Sequence, residues 1–176
     1  MYQGKNMLFE SLNETHTDKL LAFELENREY FESFIASREE TFYSLTGVSN
    51  HIQELQDLQQ KSEAMSFVLM QEGCVIARAN IKNIQLNGSA EIGYRVGIGA
   101  SNRGIGSLCV NHLVCISENL NLKHLSAFVI DNNPASKKVL LKNGFHLDLC
   151  IPNSFEHQGQ FYHGFEYLHI LSQQPN

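Results

Sequence analysis

The segment from Glu91 to Glu118, EIGYRVGIGASNRGIGSLCVNHLVCISE, decides how the rest of the chain is organised. Apolar residues alternate with polar or small ones from Glu91 to Val96, which predicts a strand. Small residues from Gly97 to Asn102 then predict a loop. From about Gly104 apolar residues recur at intervals of three and four, which predicts a helix lying against a sheet. The residues that recur at this spacing form one continuous stripe along the helix, which consists of Ile105, Leu108, Cys109, His112, Leu113 and Ile116.

The junction between strand and helix has the properties of an anion site. The first N–H groups of a helix have no partner within the helix, and the helix dipole places partial positive charge there. Gly104 and Gly106 lack a Cβ, so a ligand can approach the backbone closely, and Arg103 adds a positive charge. The alternative is a tight strand–helix connection whose glycines serve only turn geometry.

Two common phosphate-binding motifs do not match this junction. A Walker A loop has Lys after its last Gly, and Ser107 stands there. The dinucleotide fingerprint has three glycines, and its third position is Asn102 here. Both nucleotide-binding motifs therefore fit this junction poorly.

The stretch from Ser101 to Gly106 resembles the pyrophosphate loop of the GNAT superfamily of N-acetyltransferases, Gln/Arg-x-x-Gly-x-Gly/Ala at the start of a helix. Both glycines match, and Ser101 stands where Gln or Arg is usual. A second stretch, Asn132 to Phe145, resembles the superfamily's next strand–helix junction, where an Asn precedes a helix ending in Gly-Phe. The sequences Glu91–Val96 and Asn133–Leu140 are most similar to the branch that acetylates ribosomal-protein alanine and serine N-termini.

The resemblance implies one GNAT-like domain over residues 1–176, with a mixed, mostly antiparallel sheet flanked by helices. Two central strands, around Ile92–Val96 and Leu125–Ile130, would splay apart and hold pantetheine, with a backbone N–H near Tyr94 as oxyanion donor. The cofactor-binding residues expected from the resemblance are Tyr94, Arg95, Val96, Arg103, Gly104, Ile105, Gly106, Ser107, Asn133 and Ser136.

Two residues are the expected catalysts. Glu91 is the candidate general base, acting through water, and its alternative role is an exposed carboxylate paired with Lys or Arg. The superfamily often uses a helical Tyr as general acid, but Leu140 occupies the matching position. Ser136 is the candidate substitute, or else makes only a local backbone contact. Asn133 would bind pantetheine or cap the helix.

Composition limits the class of protein. The 176 residues carry a net charge of −6, which gives no nucleic-acid footprint and which we attribute to solubility. Neither a signal peptide nor a membrane-spanning run is visible, so a cytoplasmic protein is expected. The four cysteines have no metal-like spacing and are expected to be buried free thiols. No metal, membrane or direct nucleic-acid partner is expected, and the chain would be a monomer or homodimer.

The remaining segments predict a first strand, three helices before residue 63, a hairpin of two strands, and a final antiparallel pair. The third helix is expected from Ser49 to Ser62, and a polar loop from Pro152 to His163 within the final pair. The early aromatic residues would wall an acceptor pocket or form a separate packing cluster. They are Tyr30, Phe31, Phe34, Phe42 and Tyr43.

The resemblance therefore implies an acetyl-CoA-dependent N-acetyltransferase. Because no Cys stands in a nucleophile motif, direct transfer in a ternary complex is expected. The first choice of acceptor is the N-terminal amine of a ribosomal protein. The second is a small amine, amino acid or aminoglycoside. A different class also remains open, a non-catalytic acyl-CoA-binding sensor or interaction module on the same fold.

Overall fold

A computed structural model of the chain describes residues 7–157 and 159–172. Seven strands and five α-helices follow one another along these residues. The strands are β1 (Met7–Ser11), β2 (Met65–Gln71), β3 (Cys74–Lys82), β4 (Ser89–Val96), β5 (His124–Ile130), β6 (His146–His157) and β7 (Gln160–Ile170). The helices are α1 (Thr17–Glu26), α2 (Arg28–Glu32), α3 (Leu45–Gln60), α4 (Ile105–Asn119) and α5 (Pro134–Lys142).

The strands form one mixed sheet in the order β1-β2-β3-β4-β5-β7-β6. Every neighbouring pair is antiparallel except β4 and β5, which run parallel. The mostly antiparallel sheet flanked by helices confirms the fold class expected from the sequence.

The central strands part after three residue pairs. Ser89–Glu91 of β4 pairs with His124–Ser126 of β5, and beyond these positions β4 pairs only with β3 and β5 only with β7. The backbone edges of β4 and β5 that face each other beyond Glu91 are thus free of strand partners in the described residues. This is the splay that the resemblance predicts.

Helices cover both faces of the sheet, and each face has its own core. On one face α4 packs against β3 and β4, and its buried residues Ile105, Cys109, Val110 and Leu113 meet Ala79 and Ile92 in the larger core. On the other face α1 and α3 pack over β2 and β3 around a second cluster. That cluster contains Leu20, Phe23, Phe31, Phe42, Val48 and Ile52.

Three predictions about these elements are wrong in detail. The third helix begins at Leu45, four residues before the predicted Ser49, because the Ser44 hydroxyl accepts a hydrogen bond from the Gly47 N–H and caps it. Leu108 is 40 % exposed and does not belong to the buried stripe of α4. Of the four cysteines only Cys109 is buried, and the others are exposed.

The largest difference concerns the predicted loop from Pro152 to His163. These residues extend the last antiparallel pair into a long hairpin whose strands β6 and β7 remain paired as far as Gln160. The register shifts between Ile151 and Phe155, so Pro152 lies in an irregularity of the ladder. Pairing across the hairpin overrides the local loop signal.

Substitutions at Leu113 and Leu108 test which side of α4 faces the core. Leu113 is fully buried in the larger core, so Leu113→Ala should lower the free energy of unfolding by about 2–5 kcal/mol. The exposed Leu108→Ala is the matched control and should cost less than about 1 kcal/mol. Denaturant unfolding measures both, and equal losses would contradict this orientation of α4.

Candidate active site

The N-terminus of α4 is open to a ligand. Asn102 (φ 59°) and Gly104 (φ 78°) both adopt left-handed backbone conformations and turn the chain into the helix. Among the described residues no side chain caps the first N–H groups of α4. By contrast, α3 is capped by Ser44 and α5 by Asn133. These unoccupied donors, at the positive end of the helix dipole, suit a phosphate.

A cavity of about 630 Å³, here called the loop cavity, lies in front of this helix end. A Cβ built on Gly104 would meet nothing within 4 Å, so Gly104 faces open space. Lys138 and Lys142 of α5 line the same cavity and supply positive charge. Free backbone donors, an open glycine and two lysines fit the pyrophosphate and extended chain of acetyl-CoA.

The predicted cofactor residues serve the loop cavity in different ways. Gly104, Ile105, Gly106 and Ser107 line it. The Ser107 hydroxyl, however, is hydrogen-bonded to the Asn143 side chain (2.8 and 3.1 Å), which ties α4 to α5. Ser107 therefore has only its backbone N–H to offer a ligand.

Gly106 and Arg103 are not placed as expected for residues that contact a pyrophosphate. A Cβ on Gly106 would stand 3.1 Å from the Tyr94 ring and 3.4 Å from Val139. The missing side chain at Gly106 thus makes room for Tyr94. Arg103 is exposed, and it is not among the described residues that line the loop cavity.

A second cavity of about 610 Å³, here called the strand cavity, lies where β4 and β5 part. Its wall includes Glu91–Arg95 of β4 and Ala127–Ile130 of β5. The two cavities share six lining residues, which mark the place where they meet. The shared residues are Phe34, Ile35, Tyr94, Arg95, Asn133 and Ser136. Ligands in the two cavities would therefore meet beside Tyr94 and Ser136.

Two hydroxyl groups meet at this junction. The Tyr94 phenol oxygen lies 3.1 Å from the Ser136 hydroxyl oxygen. Burial raises the pKa of Tyr94 to about 12, so the phenol stays protonated at neutral pH. The Asn133 side chain accepts a hydrogen bond from the Ser136 N–H (3.1 Å) and caps α5. The pair can hold and donate a proton.

Glu91 lies at the far end of the strand cavity, at the last residue pair between β4 and β5. Its carboxylate pairs with Lys82 (2.6 Å) and accepts a hydrogen bond from the Asn83 side chain (3.0 Å). The carboxylate is partly exposed and lines the cavity, so water can reach it. This geometry accommodates both roles that the sequence leaves open.

Beneath the strand cavity lies a buried carboxylate, Glu24 of α1, which is 1 % exposed. Arg78 donates to one of its oxygens (2.7 Å) and Arg95 to the other (3.0 Å). Burial alone would raise the pKa of Glu24, but the charges of Arg78 and Arg95 outweigh it and hold that pKa below the ordinary value. The Arg95 side chain therefore takes part in this network, and Arg95 also lines both cavities.

The early aromatic residues serve both of the roles predicted for them, lining a pocket and packing in a core. Tyr30, Phe31 and Phe34 line the loop cavity, and Phe34 also lines the strand cavity. Phe31 and Phe42 at the same time belong to the second core cluster.

Several lining residues escaped sequence reasoning. Lys138 and Lys142 could have been found, because they lie one turn apart on α5 beside the matched Asn133. The side chains of Arg38 and Phe155 left no local signal, since the path of the chain after α2 and the length of the β6–β7 hairpin bring them to the strand cavity. Tyr94 was expected at the site for its backbone N–H, and its phenol was not.

Burial raises the pKa of the Cys109 thiol to about 12, so Cys109 is not a nucleophile at neutral pH. Over residues 7–157 and 159–172, no group of His, Cys, Asp and Glu is arranged to hold a metal ion. In the same ranges no helix is long and apolar enough to cross a bilayer.

Comparison with known families agrees with this geometry. The family model described as an acetyltransferase (GNAT) domain matches residues 6–146, which is most of the chain. The chain belongs to the GNAT acetyltransferase family. It is accordingly an N-acetyltransferase.

Relatives of this GNAT protein support the assignment. A probable N-acetyltransferase of Bacillus subtilis, YjcK, is 28 % identical over 152 residues, covering 83 % of each chain. The structure of a ribosomal-protein-S5-alanine acetyltransferase from Vibrio fischeri superposes with a TM-score of 0.91 at 19 % identity, covering 99 % of this chain and 98 % of the other. RimL, a ribosomal L7/L12 α-N-protein acetyltransferase in complex with coenzyme A, superposes at 0.86 with 19 % identity over 96 % of each chain. At 19 % identity these two structures support the fold assignment only.

Gly104 offers a direct test of the loop cavity. Acetyl-CoA at 100 times its dissociation constant should stabilise the native protein by about 2.7 kcal/mol, seen as a rise in Tm. Gly104→Val should abolish that rise, because a branched side chain would occupy the open space before α4 and strain the left-handed backbone. Each variant is compared with its own ligand-free Tm, which separates binding from folding.

Gly99→Val is the matched control. Gly99 also has open space around it, but its φ is not left-handed and it does not line the loop cavity. It should keep the acetyl-CoA-induced rise. An unchanged rise in Gly104→Val would contradict the assignment of the pyrophosphate to the N-terminus of α4.

Proposed function

We propose that this chain transfers the acetyl group of acetyl-CoA to the primary amine of a protein N-terminus, a ribosomal protein being the first candidate. The observation that carries the proposal is the meeting of two cavities at Tyr94, Asn133 and Ser136. One cavity ends at the uncapped α4 helix, which suits the cofactor. The other opens between parted strands, where an amine could reach the thioester.

The choice of acceptor rests on similarity as well as on shape. Two of the superposed structures are described as acetyltransferases of ribosomal proteins, one of them acting on alanine of S5 and the other being an α-N-protein acetyltransferase of L7/L12. An extended peptide end can enter a cavity lined by strand residues on both sides. The cytoplasmic location expected from the sequence stays a prediction.

Direct transfer needs the acceptor amine and the thioester to be held in one complex. The amine loses its proton, its nitrogen attacks the thioester carbon, and the C–S bond breaks as the coenzyme A thiolate leaves. Pantetheine amides would pair with the free edges of β4 and β5, and a backbone N–H near Tyr94 would stabilise the oxyanion. With the Cys109 thiol buried and protonated, no covalent intermediate is invoked at that residue.

In this mechanism the leaving thiolate takes its proton from the Tyr94–Ser136 pair. A phenol is a stronger acid than an aliphatic hydroxyl, so Tyr94 is the source and Ser136 either relays the proton or orients the phenol. The S–H bond forms as the O–H bond breaks, and the phenolate regains a proton from solvent. Tyr94 thus supplies the phenol that Leu140 does not.

Substitution of this pair separates rate from affinity. Ser136→Ala and Tyr94→Phe should each lower kcat by about 10- to 1000-fold, within or below the usual range for one acid–base group. Acetyl-CoA affinity should change little, since each variant loses about one neutral hydrogen bond, about 1 kcal/mol. Single-turnover kinetics and calorimetry measure the two quantities.

Tyr162→Phe is the control for the phenol, because Tyr162 donates to Gln160 and lines neither cavity in the described residues. Because the pKa of Tyr94 is raised to about 12, the phenol stays protonated over the working range. The rate of the parent enzyme should therefore not fall through ionisation of Tyr94 below about pH 10. Full activity in Ser136→Ala and in Tyr94→Phe would assign the proton to water or the acceptor.

Glu91→Gln tests the proposed base. The neutral amide keeps the size of the side chain, so acetyl-CoA affinity should be unchanged. Turnover should fall most at low pH, where removal of a proton from the amine is hardest. A pH–rate profile identical to that of the parent would mean that the base lies elsewhere or is not needed.

A further inference from the structure

One face of β3 and β4 forms a polar row along the floor of the strand cavity. The cross-strand pairs of this row are Arg78–Arg95, Asn80–Gly93 and Lys82–Glu91. All six residues line the cavity. The row has a charged pair at one end, two arginines at the other, and neutral groups between them.

The arginine end carries more positive than negative charge. Arg38 joins Arg78 and Arg95 in the cavity wall, and within residues 7–157 and 159–172 Glu24 is the one carboxylate that pairs with Arg78 and Arg95. Arg38 makes no ion pair within the described residues, lies over the Phe42 ring at 4.1 Å, and has a buried Nε without a partner there. Three guanidinium groups around one carboxylate leave two positive charges in excess, in a chain whose net charge is −6.

Neighbouring groups do not cancel this excess. Burial and the nearby arginines lower the pKa of His51 to about 3, so His51 is neutral, lying 3.2 Å from an Arg78 nitrogen that donates to it. Lys82 and Glu91 neutralise each other at the far end of the row. Burial, together with repulsion from the other arginines, lowers the pKa of Arg95 to about 10 and also lowers that of Arg38. An anion placed between these arginines would relieve that repulsion.

The middle of the row offers hydrogen-bond acceptors. Ser66 of β2 and Asn80 of β3 face each other across the two strands. The Asn80 Oδ1 atom and the Ser66 hydroxyl are buried and have no hydrogen-bond partner in residues 7–157 and 159–172. Ser66 is only 3 % exposed. Gly93 has no side chain, and a Cβ there would meet only the end of Lys82 at 3.9 Å, so the space above the row is open. Buried acceptors without partners suit the N–H groups of an amine.

We propose that the strand cavity selects acceptors that carry a carboxylate near the amine, with the carboxylate bound by Arg38 and Arg95 and the amine beside Asn80 and Ser66. The inference rests on the proposed acetyl transfer and adds the chemistry of the acceptor. The Asn80–Gly93 and Arg78–Arg95 pairs are two residues apart along the strands, which is roughly 7 Å. The amine and the anion should be separated by a similar distance.

This spacing excludes a free amino acid, whose amine and carboxylate share one carbon atom. Two sources of the same chemistry fit. One is an acidic side chain at the second position of a protein N-terminus. The other is the terminal carboxylate of a dipeptide, because two extended residues span roughly 7 Å.

Matched peptides test the proposal with the acetyl-CoA-saturated protein. Ala-Glu-Ala-amide should be acetylated with a kcat/KM about 10-fold or more above that of Ala-Gln-Ala-amide, since a charge-assisted bond to Arg replaces a neutral one. The dipeptide Ala-Ala should likewise exceed Ala-Ala-amide if a terminal carboxylate is accepted. Whichever pair shows the larger ratio identifies the source of the anion.

Arg38→Gln is the decisive variant, because Arg38 has no described ion pair to lose. It should reduce the Glu-to-Gln ratio to about 2-fold or less, and Arg38→Lys should retain part of it by keeping the charge. Arg28→Gln is the matched control. Arg28 pairs with Glu32 and Glu40 outside both cavities, so this variant should keep the parent ratio.

The outcomes separate this inference from acetyl transfer itself. Turnover without preference for the acidic peptide, or a ratio unchanged in Arg38→Gln, overturns the anion site and leaves the transferase proposal intact. Binding of the same peptides to the coenzyme A complex, measured by calorimetry, supplies the second readout. A preference for the Glu peptide in binding, lost in Arg38→Gln, without any turnover supports the anion site and overturns transfer to N-terminal amines. Equal binding of both peptides overturns the anion site in either case.

Discussion

The parting of β4 and β5 after three residue pairs is the constraint on which the site depends. Buried backbone N–H and C=O groups need partners, and beyond Glu91 and Ser126 neither strand finds one on the other. A ligand with amide groups of its own can restore the missing pairing. The parted strands also let the cavities meet, so in the proposed mechanism the same gap that costs the sheet its hydrogen bonds supplies the path for acetyl transfer.

The buried carboxylate of Glu24 makes this arrangement stable. Arg78 and Arg95 stand directly opposite each other on β3 and β4, and like charges in that position repel. Glu24 accepts a hydrogen bond from each of them and ties α1 to both strands. Losing one partner of such a buried pair costs far more than the pair itself contributes. Fold stability and the charge of the strand cavity therefore depend on the same side chain.

The strand, loop and helix from Glu91 to Glu118 could be predicted because their periods are local, and the superfamily resemblance then supplied the sheet. The final hairpin could not, since Pro152 and its polar neighbours carry loop signals that pairing with β7 overrides. The Glu24 network is equally invisible in sequence, because its partners lie 54 and 71 residues away. What escaped prediction is what tertiary contacts alone decide.

Gly106 shows how one residue can satisfy a motif for a second reason. In the sequence it reads as a glycine that lets phosphate approach the backbone. In the structure its missing Cβ is the space into which the Tyr94 ring fits, 3.1 Å from where that atom would stand. This position brings the phenol to Ser136, while Leu140, at the usual place of the acid, is buried in the core and 1 % exposed. In the proposed mechanism the phenol has moved from helix to strand, and the glycine of the cofactor loop is what makes room for it.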